Sequence, residues 1–348
     1  MIDLDVKQST LLARFGTSYC FDAFVTNVVF LDKNQVSYGL GDGTIRFIDI
    51  VTRQEFASVQ THYGACLSLS LAADRSAILS GGDDGRVMRT TAQHATLVTE
   101  IPGKWIEHLA VTPTGVLPSF QAIAAGKTVQ ILDDTCQTIA TLDHPATVSG
   151  ISFDAKGGRL AVAHYGGATI WRRDGRRWAS SRLVWAGSHT GISFSPDGKY
   201  VVTTMQEPAL HGWRLFDKTD MRMTGYPTKV KSMAWSAGGN YLITAGADRP
   251  VCWPFIGTKG PMGQKPRQVG RGLESLATKV AGHAYHPVIA TGYKNGGILL
   301  DLIDREGTLS VRDPGDGGAI TALDFSSDGL FLAFGTEDGM AGLLTLPQ

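Results

Sequence analysis

The sequence predicts an all-β protein assembled from a repeated unit of about forty residues, and three observations predict it. The first is glycine: there are 42 in 348 residues, well above the usual share of ~7%. They are spread along the chain rather than gathered in one tract, which is the signature of many tight turns between short strands. The second is a recurring pattern of alternating apolar residues ending in a Ser/Pro/Asp/Gly-type turn. It reads VTNVVFLDKN, CLSLSLAADR, IEHLAVTPTG, VSGISFDAKG, HTGISFSPDG, VKSMAWSAGG, TKVAGHAYHP and AITALDFSSDG. The aligned residues Phe30, Leu71, Val111, Phe153, Phe194, Trp235, Tyr285 and Phe325 are separated by 41, 40, 42, 41, 41, 50 and 40 positions. The third is a second turn about thirteen residues after each anchor, at Asp42-Gly43, Asp84-Gly85, Gly166-Gly167, Glu207-Pro208, Asp248 and Asp338-Gly339.

Each element of the unit follows from these landmarks. The anchor closes a first strand. Runs such as QVSYGLG, SAILSGG, GRLAVAH, KYVVTTM, NYLITAG and LFLAFGT form a second. After the second turn, TIRFIDI, ATIWRRD and LHGWRLF form a third. The third repeat is poorest, because PTGVLPSFQA puts two prolines where its second strand should begin. A period near forty with four short strands resembles the WD40-type β-propeller. The resemblance covers essentially the whole chain, with SFSPDGKYVVTT its best match. The Trp-Asp dipeptide of that family is missing. Trp171, Trp213 and Trp253 hold the third-strand aromatic position, but Arg172, Arg214 and Pro254 follow them. The Gly-His pair is missing too, with Asp143-His144 the nearest counterpart.

The resemblance implies one closed domain over residues 1–348. Eight anchors imply eight four-stranded blades, and seven is the alternative if the third or seventh repeat fails to form a full blade. The last repeat runs out at Leu346 after three strands. The N-terminal stretch Thr10 to Phe15, TLLARF, is expected to supply its fourth and close the ring, removing the open edge of a linear stack.

Composition narrows the function classes. With 32 basic and 32 acidic residues the net charge is zero, which argues against overall attraction to nucleic acid or anionic lipid. Cys20, Cys66, Cys136 and Cys252 are far apart, so neither a zinc ribbon nor a dense disulfide framework is expected. The start MIDLDVKQST carries no basic region before an apolar core, and no apolar run approaches the ~20 residues that span a bilayer. The expectation is a soluble, cytoplasmic monomer without metal or cofactor. No GxSxG, Walker loop or HExxH occurs. GLGDGT at Gly39 is a repeat turn between strands rather than a phosphate loop, and Asp83-Asp84 and Asp133-Asp134 lack a visible catalytic partner. His283 and His286 form an HxxH, but across a strand end, where the rings need not converge on a metal.

Two basic segments stand out. TIWRRDGRRW, Thr169 to Trp178, reads as a hairpin on Asp174-Gly175, a favoured two-residue loop. That register sets Arg173 opposite Arg176, Arg172 opposite Arg177 and Trp171 opposite Trp178. Charge on an outer strand guards the edge, but like charges face to face, with Arg182 beside them, invite an acidic partner or phosphate. The other segment is an insertion in the longest spacing, Ile256 to Leu276, with Lys259, Lys265, Arg267 and Arg271 against Glu274 alone. Its glycines and prolines make it a loop.

Propellers of the resembled kind bind partners through the loops that enter each first strand. The resemblance therefore implies Tyr63, Lys104, Trp105, His189, Lys229 and Lys279 as interface candidates. The expected function is a non-catalytic scaffold presenting a loop face to a partner protein. The alternatives are a small ligand or cofactor in the central channel, or phosphate or nucleic-acid contact through residues 171–182 and 256–276.

Overall fold

The protein is described by a computed structural model over residues 9–31, 34–315 and 317–347. The chain begins with a short helix α1 (Leu11–Phe15) and an outer strand β1 (Gly16–Cys20). The first repeat then lays down β2 (Val25–Phe30), β3 (Gln35–Leu40), β4 (Thr44–Asp49) and β5 (Glu55–Gln60) as one antiparallel sheet. The same order repeats around a ring. In every repeat the turn after the first strand is closed by one backbone bond of 2.9–3.0 Å, from Leu31 N to Gln35 O in the first to Ser326 N to Phe331 O in the last.

Among the described residues seven sheets result: six have four strands and one has six. The expectation of eight separate blades is not confirmed: the hydrogen-bonded sheets number seven, the alternative count, for a reason other than a weak repeat. The third and seventh repeats each form four strands. It is the fourth and fifth that share one sheet, because the stretch Arg177–Phe194 pairs within the fourth repeat from Arg177 to Val184 and within the fifth from His189. The stretch before it, Arg159–Asp174, doubles back at Gly166-Gly167, since Arg173 N donates to Gly158 O at 2.9 Å. One anchor also shifts. Tyr285 lies beyond its strand, Ala277–Gly282, and is 66% exposed. The turn-closing bond runs from His283 N to Val288 O, which puts Gly282 in the anchor position.

The ring is closed by an N-terminal strand, but not by TLLARF. Leu11–Phe15 is helical, with Thr10 accepting from Ala13 N at 3.3 Å as its cap. Leu, Ala and Arg favour the helix, and the β-prone Gly16–Cys20 that follows takes the edge instead. It pairs antiparallel with Met340–Thr345, Gly16 opposite Leu344 and Cys20 opposite Met340. Apolar clusters fill the wedges between sheets. One joins Phe21, Val25, Tyr38 and Leu343 across the closure, where the buried Tyr38 hydroxyl donates to Gly342 O at 2.8 Å. Each such large side chain taken from water is worth about 1.5–3 kcal/mol.

Candidate interaction face

The loops entering each first strand share one face with the turns after each second strand, and the two sets are locked together by backbone contact. In the first repeat Thr61 N and His62 N both donate to Gly43 O at 3.1 Å. Gly43 holds φ +83°, and a Cβ there would come within 2.4 Å of two carbonyl oxygens, so only glycine fits. Ile101 N makes the matching bond to Gly85 O at 2.8 Å.

These bonds fix the residues that project beyond them. Tyr63 is 82% exposed and Trp105 64%. Phe24 is exposed on the equivalent loop of the first repeat, and Tyr165 is exposed beside the turn after the second strand of the fourth. Tyr63 is held from two sides: its N–H donates to Asp84 Oδ2 at 3.1 Å, and the Arg86 guanidinium lies 4.5 Å from its ring centre. Exposed Lys104 lays its methylenes beside Gly126. Across the ring, exposed Lys229 reaches Gln206 Oε1 at 3.4 Å, and with Lys231, Lys294 and Glu337 it lines a cavity of about 390 Å3. The face thus has an aromatic arc over the first four repeats and a lysine-rich cavity over the last three.

Beneath the arc lies a relay that sequence reading missed. His62 Nε2 meets Ser80 Oγ at 2.8 Å, and Nδ1 meets Asp84 Oδ1 at 3.1 Å. Burial lowers the His62 pKa, partly opposed by the Asp84 charge. The neutral ring donates to Asp84 and accepts from Ser80. The signal was present as a histidine before the second repeat's first strand and an aspartate in its second turn. Two variants recur elsewhere: Trp171 Nε1 donates to His144 Nε2 at 2.9 Å, and His189 Nδ1 meets Thr203 Oγ1 at 2.7 Å.

Two stretches, residues 218–249 and 307–343, match the family model of the WD domain, G-beta repeat. The chain is a β-propeller, and these two stretches of it match WD40-type repeats. No curated protein matches the sequence. Among solved structures, the computationally designed Ika8 protein superposes with a TM-score of 0.72 at 19% identity, covering 94% of this chain and 98% of that one. U3-55K gives 0.62 at 14% identity, covering 96% and 99%. The WD40 repeats of RRP9 give 0.63 at 13% identity, covering 96% and 98%. These likenesses are of fold.

The remaining candidates fall at different places on the propeller. His189 is fully buried, with both ring nitrogens bonded, Nε2 to Trp185 O at 3.2 Å, so it is corrected from an interface residue to a core one. Lys279 is half-buried on Ala277–Gly282, where burial and the nearby Lys231 charge lower its pKa. In the hairpin the turn is displaced by one residue, which moves every cross-strand partner by two. Asp174 faces Arg177, Arg173 faces Trp178, Arg172 faces Ala179 and Trp171 faces Ser180. The loop is Gly175-Arg176, and Gly175 takes φ +60° at the first loop position, where type II′ turns want glycine. The opposed arginine pairs therefore do not form. Arg173 instead covers Phe120, 4.4 Å from its ring centre, and the charged outer strand reads as an edge guard.

The insertion is irregular except for Arg267–Gln268, which completes the sixth repeat by pairing with Val251 and Cys252. Lys265, Arg267 and Arg271 are exposed along it. His283 cannot use its ring for a metal as it stands: Nε2 meets Gly329 O at 3.0 Å, while Nδ1 accepts from Tyr285 N and His286 N, both at 3.0 Å. Among the described residues no His/Cys/Asp/Glu group has metal-binding geometry, and no helix is long and apolar enough to cross a membrane.

Proposed function

We propose that this protein is a non-catalytic interaction scaffold that engages a partner protein through the face bearing Tyr63, Trp105, Lys104 and Lys229. Propellers with WD40-type repeats commonly serve as interaction scaffolds. The observation that carries the reading is the aromatic arc: large apolar rings stand in solvent on loops pinned by backbone bonds. Exposed, pre-positioned aromatic residues lose little conformational freedom on docking and are typical binding anchors. The lysine-lined cavity adds positive charge, so a partner segment carrying both apolar and acidic side chains fits the face. Lys279, half-buried beside Lys231, tunes that charge more than it makes contact.

The test is a quantitative pull-down from native extract with the wild type and a Trp105→Ala/Lys229→Ala variant, thermal melts being matched first. A near-stoichiometric partner lost by the variant supports the reading. Equal capture by both moves the interface off this face.

A further inference from the structure

A second feature lies away from that face, at the outer edge between the sixth and seventh repeats. The insertion wraps back there and faces the turn after Ile298–Leu302 of the next repeat. The groove between them has a volume of about 540 Å3, and Arg249, Arg267, Arg271 and Arg305 all line it. Two acids, Asp304 and Glu306, share its wall. Neither is in an ion pair with any of the four arginines among the described residues. Four positive and two negative groups leave the groove at +2.

One guanidinium is already fixed. Arg267 donates from Nη2 to Ile303 O, and its plane lies 4.7 Å from the Tyr241 ring centre. The guanidinium groups of Arg249, Arg271 and Arg305 have no protein hydrogen-bond partner among the described residues. The buried acid behind them, Asp301, feels the charge of Arg271, but its burial acts more strongly. Asp301, 1% exposed behind Gly270, is bonded by Thr308 Oγ1 at 2.5 Å, and burial pushes its carboxyl up toward the neutral form.

We propose that this groove is an oxyanion site for a phosphoryl group, either free phosphate or the phosphorylated side chain of a partner. A guanidinium presents its donors as a planar fork that matches phosphoryl oxygens two at a time. A phosphomonoester at neutral pH carries about −1.5 to −2 with three acceptor oxygens, which balances the groove. A single carboxylate would leave positive charge unmatched. The site also gives the insertion a purpose beyond completing a sheet, since Arg267 and Arg271 exist only because the sixth repeat is longer than the others.

Calorimetry at low ionic strength tests this with the full chain, using inorganic phosphate and a phosphoserine peptide with neutral flanks, plus its unphosphorylated twin. The expected result is binding of a phosphorylated probe but not of the twin, weakened at least tenfold in Arg249→Gln/Arg271→Gln. An Arg173→Gln/Arg177→Gln hairpin variant should bind like the wild type. Comparable affinity for both phosphorylated probes assigns free phosphate as the source, and preference for the peptide assigns a modified partner. No binding by either probe overturns the proposal. So does an unchanged affinity in the groove variant with an unchanged melt, or an equal loss in the hairpin variant. The face variant Trp105→Ala/Lys229→Ala should leave phosphate binding intact, so this site and the proposed function fail separately.

Discussion

His62 shows how one side chain joins two turns. It ties Ser80 and Asp84, which lie 18 and 22 residues further along, to the loop that carries Tyr63. Replacing it with alanine leaves a buried hydroxyl and a carboxylate without that partner. We expect His62→Ala to lower stability by about 2–3 kcal/mol in denaturant unfolding, with Tyr63 losing its fixed position. Asp324, on Ile320–Phe325, gives a pH dependence. It opens to solvent but is surrounded by protein, and desolvation pushes its carboxyl up to about 7. A raised carboxyl pKa means that the native state holds a proton the unfolded chain has released. Stability from this group is therefore full below the unfolded value near ~4 and is lost as pH rises to about 7. Asp324→Asn should flatten that fall, as seen in melting temperature against pH. If the wild type shows no fall between those values, or Asn leaves it unchanged, the assignment is wrong. Neither role is legible in the sequence: the partners of His62 lie 18 and 22 residues away, and Asp324 is one polar position on an alternating strand.

At the scale of elements, glycine separates two kinds of turn. Gly175 and Gly43 both hold positive φ, +60° and +83°. A Cβ at Gly175 meets nothing within 4 Å, whereas one at Gly43 lies 2.3 Å from Gly64 O. Gly175→Ala should then cost roughly 1 kcal/mol, the backbone penalty alone. Gly43→Ala should cost two to three times as much, because loop backbone must move. Unfolding of the two variants side by side checks the ratio. The strand pattern itself was plain from sequence, since alternation and turn residues are local properties. The hairpin register was not, because Asp174-Gly175 and Gly175-Arg176 both make acceptable two-residue loops. Moving the turn by one residue moves each cross-strand partner by two, and it removed the charge conflict that had made the arginines look functional.

For the whole molecule, the repeat length and the closure by an N-terminal strand could both be read from the chain, but two long-range details could not. The junction of the fourth and fifth repeats depends on one stretch, Arg177–Phe194, that runs past Gly187 from the fourth repeat into the fifth. The closing strand begins six residues later than expected because the helix at Leu11–Phe15 is capped by Thr10. Closure covers the Met340–Thr345 edge and stacks Tyr19 on Phe21 at 6.1 Å. Removing residues 1–20 should therefore expose that edge, lower the melting temperature sharply and produce concentration-dependent aggregation. A truncated chain that stays monodisperse with an unchanged melt would show that the ring does not rely on this pairing. Candidate interface residues were partly legible: Tyr63 and Trp105 stand out as aromatic residues in loops, while the burial of His189 is decided by neighbouring repeats.

The central claim is that the loop face carrying the aromatic arc is where a partner docks. Hydrogen–deuterium exchange of the full chain, with and without the partner recovered in the pull-down, tests it most directly. Protection is expected to concentrate in residues 61–65, 101–106, 206–208 and 228–231, with the outer strands unchanged. Protection confined to the hairpin at 171–182 or to the turns on the opposite face, with the arc exchanging as freely as before, would contradict it.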